Sequence, residues 1–279
     1  MTGAVDPLRV AVGQAESVPG DVEGNVATAA DLVREAAAQG GRVLVLPELF
    51  LPGYDLATLA ARPHDCDLGH DEIGADPRLE PLRGAATETG TVTLVGASVA
   101  RADGRRTIAV VVVDADGSRH AYDKQHLWAG EPDLFAAGDH GCVITVDGWP
   151  LGVGVCYDGC FPDHARAAAA AGALAYLTPM AYVDGSEHRR DLYYRARALD
   201  NGCYAVAAGL VGRCGSETFN GGSAVHDPEG RTLVHAGDSS RAVLVADLDA
   251  AVVEAARTVN PLVADRVADL GTLAHLAAH

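Results

Sequence analysis

The segment Gly148-Trp-Pro-Leu-Gly-Val-Gly-Val-Cys156-Tyr-Asp-Gly-Cys-Phe-Pro162-Asp-His-Ala-Arg166 limits what this chain can become. Leu151 to Val155 is a β-rich apolar run broken only by Gly152 and Gly154, the pattern of a buried strand. Pro162 suits the first turn of a helix, and alanines follow it. A strand that gives way to a helix within a few residues is a unit of α/β architecture. Cys156 falls where the strand has ended and the helix has not begun. Strand ends are where α/β folds meet ligands, and a thiol near free backbone N–H groups is a candidate nucleophile. Taken alone, the stretch is accounted for equally well by a small, buried, apolar cysteine.

The same alternation runs through the chain. Leu8 to Ala15 reads as a first strand. Asn25 to Gln39 has helical apolar spacing and stops at Gly40-Gly41. Arg42 to Leu46 is a second buried strand, ending at Pro47-Glu48. A helix over Leu79 to Thr89 precedes paired strands, Thr91 to Ala100 and Arg106 to Val113, which Ser118 to Asp123 extends. Cys142 to Val146 and Trp149 to Val155 pair around Asp147-Gly148. Beyond Cys156 the pattern predicts a helix at Pro162 to Ala171 and a strand at Ala173 to Thr178, closed by Pro179. A helix at Glu187 to Asn201 and a strand at Cys203 to Leu210 follow. Arg213 to Gly222 reads as a glycine-rich loop. Short strands at Ser223 to His226 and Thr232 to His235 flank the turn Asp227-Pro-Glu-Gly230, and Ala242 to Asp247 is the last strand. No repeat, linker or composition break interrupts this order. The expectation is one mixed α/β domain over residues 1–279 with two layers of sheet. Its core covers about 8–250, and a C-terminal segment covers 251–279.

Composition removes several classes of function. The residues are 48% hydrophobic and only 5% aromatic, which suits close packing of helices on sheets. A net charge of −17 argues against nucleic acid or an anionic membrane as partner. No apolar run is long enough to span a bilayer, and Met1 to Pro7 lacks the basic and apolar regions of a signal peptide. The six cysteines show no disulfide-framework spacing, so reduced thiols in a cytoplasmic protein are expected. His64, Asp65, Cys66, Asp67, His70 and Asp71 are rich in ligand atoms but lack a paired metal-site spacing, so a polar loop is expected. Gly152-Val-Gly154 lacks the third glycine of a dinucleotide fingerprint.

Two further polar residues stand at strand ends. Glu48 follows Val43-Leu-Val-Leu-Pro47, and Lys124 follows Tyr122-Asp123. Carboxylate, ammonium and thiol are the parts of an acyl-transfer site without histidine. A thiol of ordinary pKa, about 8.5, is mostly protonated at neutral pH and benefits from a base. A partly desolvated glutamate can take that proton, because burial raises its pKa. A lysine kept charged by carboxylates can stabilise an oxyanion. The residues alone also allow a Glu–Lys ion pair with an unrelated cysteine.

Together these stretches resemble the nitrilase superfamily, the carbon–nitrogen hydrolases. Leu46-Pro-Glu48-Leu-Phe-Leu-Pro-Gly-Tyr54 is similar to its glutamate motif. Tyr122-Asp-Lys124-Gln-His-Leu is similar to its lysine motif, and Gly154-Val-Cys156-Tyr-Asp-Gly-Cys-Phe-Pro162 to its cysteine motif. Arg195 to Asn201 and Phe219-Asn-Gly-Gly-Ser223 through Gly230 also fit. The resemblance implies a four-layer α-β-β-α sandwich, with Glu48 as general base, Lys124 as oxyanion stabiliser and Cys156 as nucleophile. It makes the Tyr157 N–H a second oxyanion donor. Glu131, in Gly130-Glu-Pro-Asp, matches a further glutamate that orients the substrate amide and holds Lys124. The implied reaction is hydrolysis of a non-peptide C–N bond through a thioester, with no metal or organic cofactor. Family members pair through helices near the nucleophile, so a homodimer or larger homo-oligomer is expected.

Tyr157-Asp158 after the cysteine resembles the amidase and carbamoyl-amidase branches; true nitrilases commonly carry Trp-Glu. A small linear amide is therefore the expected substrate, with a carbamoylated amine or a nitrile as alternatives. A non-catalytic binding or assembly subunit is the alternative of another class. Phe50, Tyr54 and the loop Pro179-Met180-Ala181-Tyr182 are the expected pocket wall. Asp184 and Glu187 would read a cationic tail. His126 is expected to be a structural, hydrogen-bonded histidine, His164 to be exposed on its helix, and Cys160 to pack near the helix start. Many relatives carry an asparagine where this chain has Gly209.

Overall fold

The computed structural model describes residues 5–237, 241–267, 269, 271–272 and 275. The first part of the chain contributes strands β1 (Leu8–Gln14), β2 (Val43–Val45), β3 (Leu68–Gly69), β4 (Val92–Ala100), β5 (Arg106–Asp114) and β6 (Gly117–Asp123). With them come helices α1 (Val22–Ala38), α2 (Leu56–Ala61), α3 (Pro63–Cys66) and α4 (Glu80–Thr89). The second part contributes β7 (Cys142–Val146), β8 (Trp149–Val153), β9 (Ala175–Met180) and β10 (Tyr204–Gly209), with helices α5 (Pro162–Ala170) and α6 (Glu187–Asn201). Then follow β11 (Val211–Cys214), β12 (Glu217–Asn220), β13 (Ala224–His226), β14 (Thr232–His235), β15 (Ala242–Leu248) and α7 (Ala250–Val259).

These strands form two main sheets. One runs β15-β1-β2-β4-β5-β6, with β3 also paired to β4, and the other runs β14-β13-β10-β9-β8-β7. Period-two alternation sorts the first sheet's side chains onto two faces. Along β5, Ile108, Val110 and Val112 join the core shared with Leu151, Val153, Leu177 and Val206 of the second sheet. Ala109, Val111 and Val113 join the core under α1 and α4, with Val26, Leu32, Val33 and Leu82. Helices α5 and α6 cover the other side of the second sheet, where Ala165 packs on Tyr176 and Cys203. The layers are therefore helix, sheet, sheet and helix.

Most expected elements are present, and the departures have local causes. Helix α1 starts at Val22 because the Asp21 side chain caps it by accepting the Gly24 N–H at 3.0 Å. Pro179 lies inside β9 instead of closing it. Its register partner is Ala208 of β10, while β8 pairs with β9 only as far as Leu177, so no ladder bond on that edge is lost. The expected loop from Arg213 to Gly222 is largely the β11–β12 hairpin.

The turn after β2 is fastened to β4. Leu46 N–H donates to Leu94 O (2.8 Å), Gly96 N–H to Pro47 O (3.1 Å) and Leu51 N–H to Gly96 O (3.0 Å). Asn25 of α1 adds a bond to Leu51 O at 2.9 Å. This approach works only because residue 96 is glycine: a Cβ there would lie 2.4 Å from Pro47 O and 2.7 Å from Glu48 Cα. Gly96→Ala should therefore destabilise the fold by about 1–3 kcal/mol, the usual range for an overpacked interior. Urea unfolding would measure it, and a loss below about 0.5 kcal/mol would show that the turn can yield.

Candidate active site

Glu48 stands in the clamped turn just described and is fully buried. Lys124 follows β6, where its N–H still donates to Ile108 O at 2.8 Å. Its ammonium donates to Glu48 Oε1 (2.6 Å) and to both Glu131 oxygens (2.8 Å each). Glu131 opens a short 3₁₀ turn after Gly130, whose φ of 82° suits glycine. The Glu131 Oε2 atom accepts the Trp128 N–H at 2.6 Å, and Oε1 accepts the Tyr54 hydroxyl. All three charged side chains are inaccessible to solvent. Glu48, far from the other two in the chain, thus joins Lys124 and Glu131 in one cluster.

Cys156 begins a 3₁₀ turn, Cys156–Cys160, with a left-handed φ of 44°. A non-glycine residue there is strained and persists only when its surroundings fix it. They do. Tyr194 donates its hydroxyl to Cys156 O at 3.2 Å, and the thiol points at Ala181 O at 3.6 Å. Tyr157 occupies the turn's first positions, where N–H groups lack intrahelical acceptors.

Asp158 fixes the turn from within. Its buried carboxylate accepts Val155 N–H (2.9 Å), the Tyr122 hydroxyl (2.8 Å) and the His126 N–H (2.8 Å). His126 Nδ1 lies a further 2.8 Å from it. His126 also stacks on Phe161, so it serves this junction and is not a partner of Cys156. His164 is buried, contrary to the expected exposure, between the hydroxyls of Tyr122 and Tyr176, each 2.8 Å from a ring nitrogen. Burial lowers its pKa, which favours the neutral ring. The sequence shows Asp158 two residues after Cys156 but not the donors that converge on it.

The electrostatics of the cluster follow from burial. Desolvation pushes the Glu48 carboxyl up to about 7, against the opposing pull of the Lys124 ammonium. Burial alone would lower Lys124, but the Glu48 and Glu131 carboxylates outweigh it and hold the ammonium well above its usual pKa. Burial, with the Glu48 carboxylate nearby, raises the Cys156 thiol well above its ordinary value. The resting site therefore holds a protonated thiol, a permanent cation and a carboxyl able to exchange a proton near neutrality. The Glu48 Oε2 atom has no well-formed hydrogen bond, although the thiol is near enough to act on this carboxyl.

A cavity of about 400 Å³ opens on Cys156. Tyr54, Ala181 and Tyr182 of the expected wall line it, and Tyr157 does too. Phe50 and Met180 do not: Phe50 belongs to the core beneath α1, and Met180 faces the core between the sheets. Asp184 and Glu187 are also absent from the wall. Glu187 accepts the Gly185 N–H at 2.9 Å instead. Cys160 does reach the cavity, 3.4 Å from the Tyr182 hydroxyl. The wall further includes Arg189 from the first turn of α6, and Trp128, Glu217 and Phe219, brought in by a loop and the β11–β12 hairpin, which carry no periodic signal. At Gly209 there is no room for a side chain, since a Cβ would lie 2.1 Å from Gly221 O.

Replacing Asp158 by Asn would turn an amide NH₂ towards donors that now share a carboxylate. The expected outcome is a loss of about 2–4 kcal/mol in urea unfolding, from two or more charge-assisted hydrogen bonds. Alkylation of Cys156 should change rate with it, because the turn loses its fastening. Unaltered thiol reactivity would limit Asp158 to a role in stability.

Comparison with known proteins agrees with this architecture. A model of the carbon-nitrogen hydrolase family matches residues 9–258. A Pseudomonas protegens protein described as "Hydrolase in pqqF 5'region" is 33% identical over 269 residues, covering 95% of this chain and 91% of the relative. An N-carbamoylputrescine amidase from Solanum tuberosum is 31% identical, over 90% of this chain and 89% of that protein. The amidase from Nesterenkonia sp. AN1 superposes with a TM-score of 0.80 at 28% identity over 95% of each chain. One of its structures is a complex with acrylamide, and another carries the acetamide moiety of fluoroacetamide bonded to the active-site cysteine. With the fold and nearly the whole length shared, the chain belongs to the carbon–nitrogen hydrolase family, the nitrilase superfamily, and is an enzyme of amidase type.

Proposed function

We propose that the chain hydrolyses the C–N bond of a small linear amide at Cys156, releasing ammonia and a carboxylate. The observation that carries this reading is the buried Glu48–Lys124–Glu131 cluster beside a protonated thiol. A thiol held protonated cannot attack unaided, so it needs a base at the moment of attack. Glu48, with its pKa near 7, can take the proton while sulfur bonds to the amide carbon. The Lys124 ammonium and the Tyr157 N–H stabilise the oxyanion. The C–N bond then breaks, and protonated Glu48 hands its proton to the departing nitrogen, leaving a thioester. Water attacks the thioester as Glu48 takes one of its protons. Sulfur leaves and regains a proton, and the carboxylate is released. Glu131 holds Lys124 in place throughout.

The same reading takes the outer side of α6 as the face on which a second copy of the chain pairs. Leu192 and Leu199 stand exposed there, at 68% and 44% of their full accessibility, and their spacing puts them on one face.

Ammonia release from a panel of small amides, carbamoyl amines and nitriles tests the reaction. Wild type should turn over the amides, and Cys156→Ala should lose about 10³-fold or more in kcat. Release that survives the substitution would remove Cys156 from the mechanism, whereas turnover confined to carbamoyl amines would move the enzyme to that branch. The pH profile tests the base separately. Glu48 accepts a proton only when ionised, so kcat/KM should rise with pH through about 7. Lys124 stays charged across that window and contributes no limb of its own. Glu48→Gln should abolish turnover; residual activity with an unchanged acid limb would assign that limb to another group.

A further inference from the structure

Arg189 is the only cationic side chain among the described residues lining the cavity. Its guanidinium has no hydrogen bond or ion pair among the described residues, although it lies close enough to act on the Cys160 thiol. Its neighbours on α6 are engaged. Arg190 bonds to Asn220 Oδ1 at 2.6 Å, and Arg195 bonds to Gly230 O at 2.9 Å. Helix stability does not account for Arg189 either, because a cation in the first turn opposes the helix dipole.

The acids of the wall do not neutralise it. Asp55 is committed to capping α2 through Thr58 N–H at 3.1 Å and the Thr58 hydroxyl at 2.5 Å. Glu217 lines the cavity but forms no ion pair with Arg189. The rest of the wall is mainly aromatic and aliphatic. In a chain of net charge −17 the general field repels anions, so an anionic ligand can be held only by a local donor of this kind. A guanidinium presents a planar fork that matches a carboxylate.

We propose that Arg189 receives a carboxylate on the tail of the substrate, so that the preferred substrates are small amides with an acidic tail. This rests on the assignment of Cys156 as the amide nucleophile and names the substrate class of that site. Arg189 is then a specificity-determining residue, bordering the same cavity as the reacting sulfur.

Two measurements on the full chain test it. The first compares kcat/KM for succinamic acid, butyramide and 4-aminobutyramide in wild type, Arg189→Gln, Arg189→Lys and Glu217→Gln. Wild type should prefer succinamic acid. Arg189→Gln should lower the acid-to-neutral ratio by about tenfold or more, the worth of one charge-assisted hydrogen bond. Arg189→Lys should restore part of it, and Glu217→Gln should raise it. A ratio that Arg189→Gln leaves unchanged, or a wild-type preference for the cationic amide, would overturn the proposal.

The second measurement does not need turnover. N-(iodoacetyl)glycine and N-(iodoacetyl)glycinamide share the reacting iodoacetamide group and differ in a terminal carboxylate against a terminal carboxamide, and mass spectrometry of the Cys156 peptide reports each rate. The ratio of the acidic to the neutral reagent should fall by about tenfold in Arg189→Gln. If no amide is hydrolysed but this ratio falls, the hydrolase reaction is wrong and the anion site stands. If amides are hydrolysed and neither ratio moves, the anion site is wrong and the reaction stands.

Discussion

The rest of the site depends on one buried cation. Taking an ammonium fully out of water costs several kcal/mol, which only close, well-oriented opposite charges can offset. Lys124 has two such partners, one at the end of β2 and one in the turn that follows its own strand. The fold therefore cannot place Lys124 correctly without also placing Glu48 and Glu131. With two carboxylates around one ammonium, the arrangement has an acid in excess. Desolvation makes that excess charge costly, and this keeps the Glu48 proton exchangeable near neutrality. A stability requirement and a carboxyl whose pKa is raised to about 7 thus come from the same three side chains.

A second network performs the equivalent task for the Cys156 turn with little net charge. The Tyr176 hydroxyl meets His164, His164 meets the Tyr122 hydroxyl, and Tyr122 donates to Asp158. With a neutral His164 carrying its proton on Nε2, Tyr176 donates to Nδ1, while Tyr122 accepts from Nε2 and donates to Asp158. The path ends on the carboxylate that binds both Val155 N–H and His126 N–H. The lysine loop and the cysteine turn, far apart in the chain, are therefore registered against each other through one side chain. This fastening lets Cys156 keep a left-handed backbone without glycine.

The legible part of this protein was the part written as local pattern. Buried apolar runs ending in Glu48, Lys124 and Cys156 located the strand ends, and the layer order followed from strands interleaved with amphipathic helices. What failed lacked such a pattern or depended on distant partners. The β11–β12 hairpin consists of four-residue strands that pair mainly with one another, within a stretch rich in glycine. His164 looked like a surface residue of α5, because nothing local announces the tyrosines that meet it. Phe50 and Met180 are close in sequence to the wall residues Tyr54 and Ala181, yet their side chains serve the two cores. Charge on the wall was sought at Asp184 and Glu187, but the charged side chains that line it are Asp55, Arg189 and Glu217.

The contact between Gly209 and Gly221 bears on how such an enzyme can diversify. Backbone fills the space where a side chain at residue 209 would extend, so no substitution there can reshape the site without moving a strand. The wall residues from α6 and the β11–β12 hairpin are under no such restriction; several stand on exposed segments, and none belongs to the Glu48–Lys124–Glu131 cluster. Inheritance of the chemistry and variation of the substrate are consequently assigned to different parts of the chain. A lineage can exchange one amide for another by altering the rim while the buried machinery passes on unchanged.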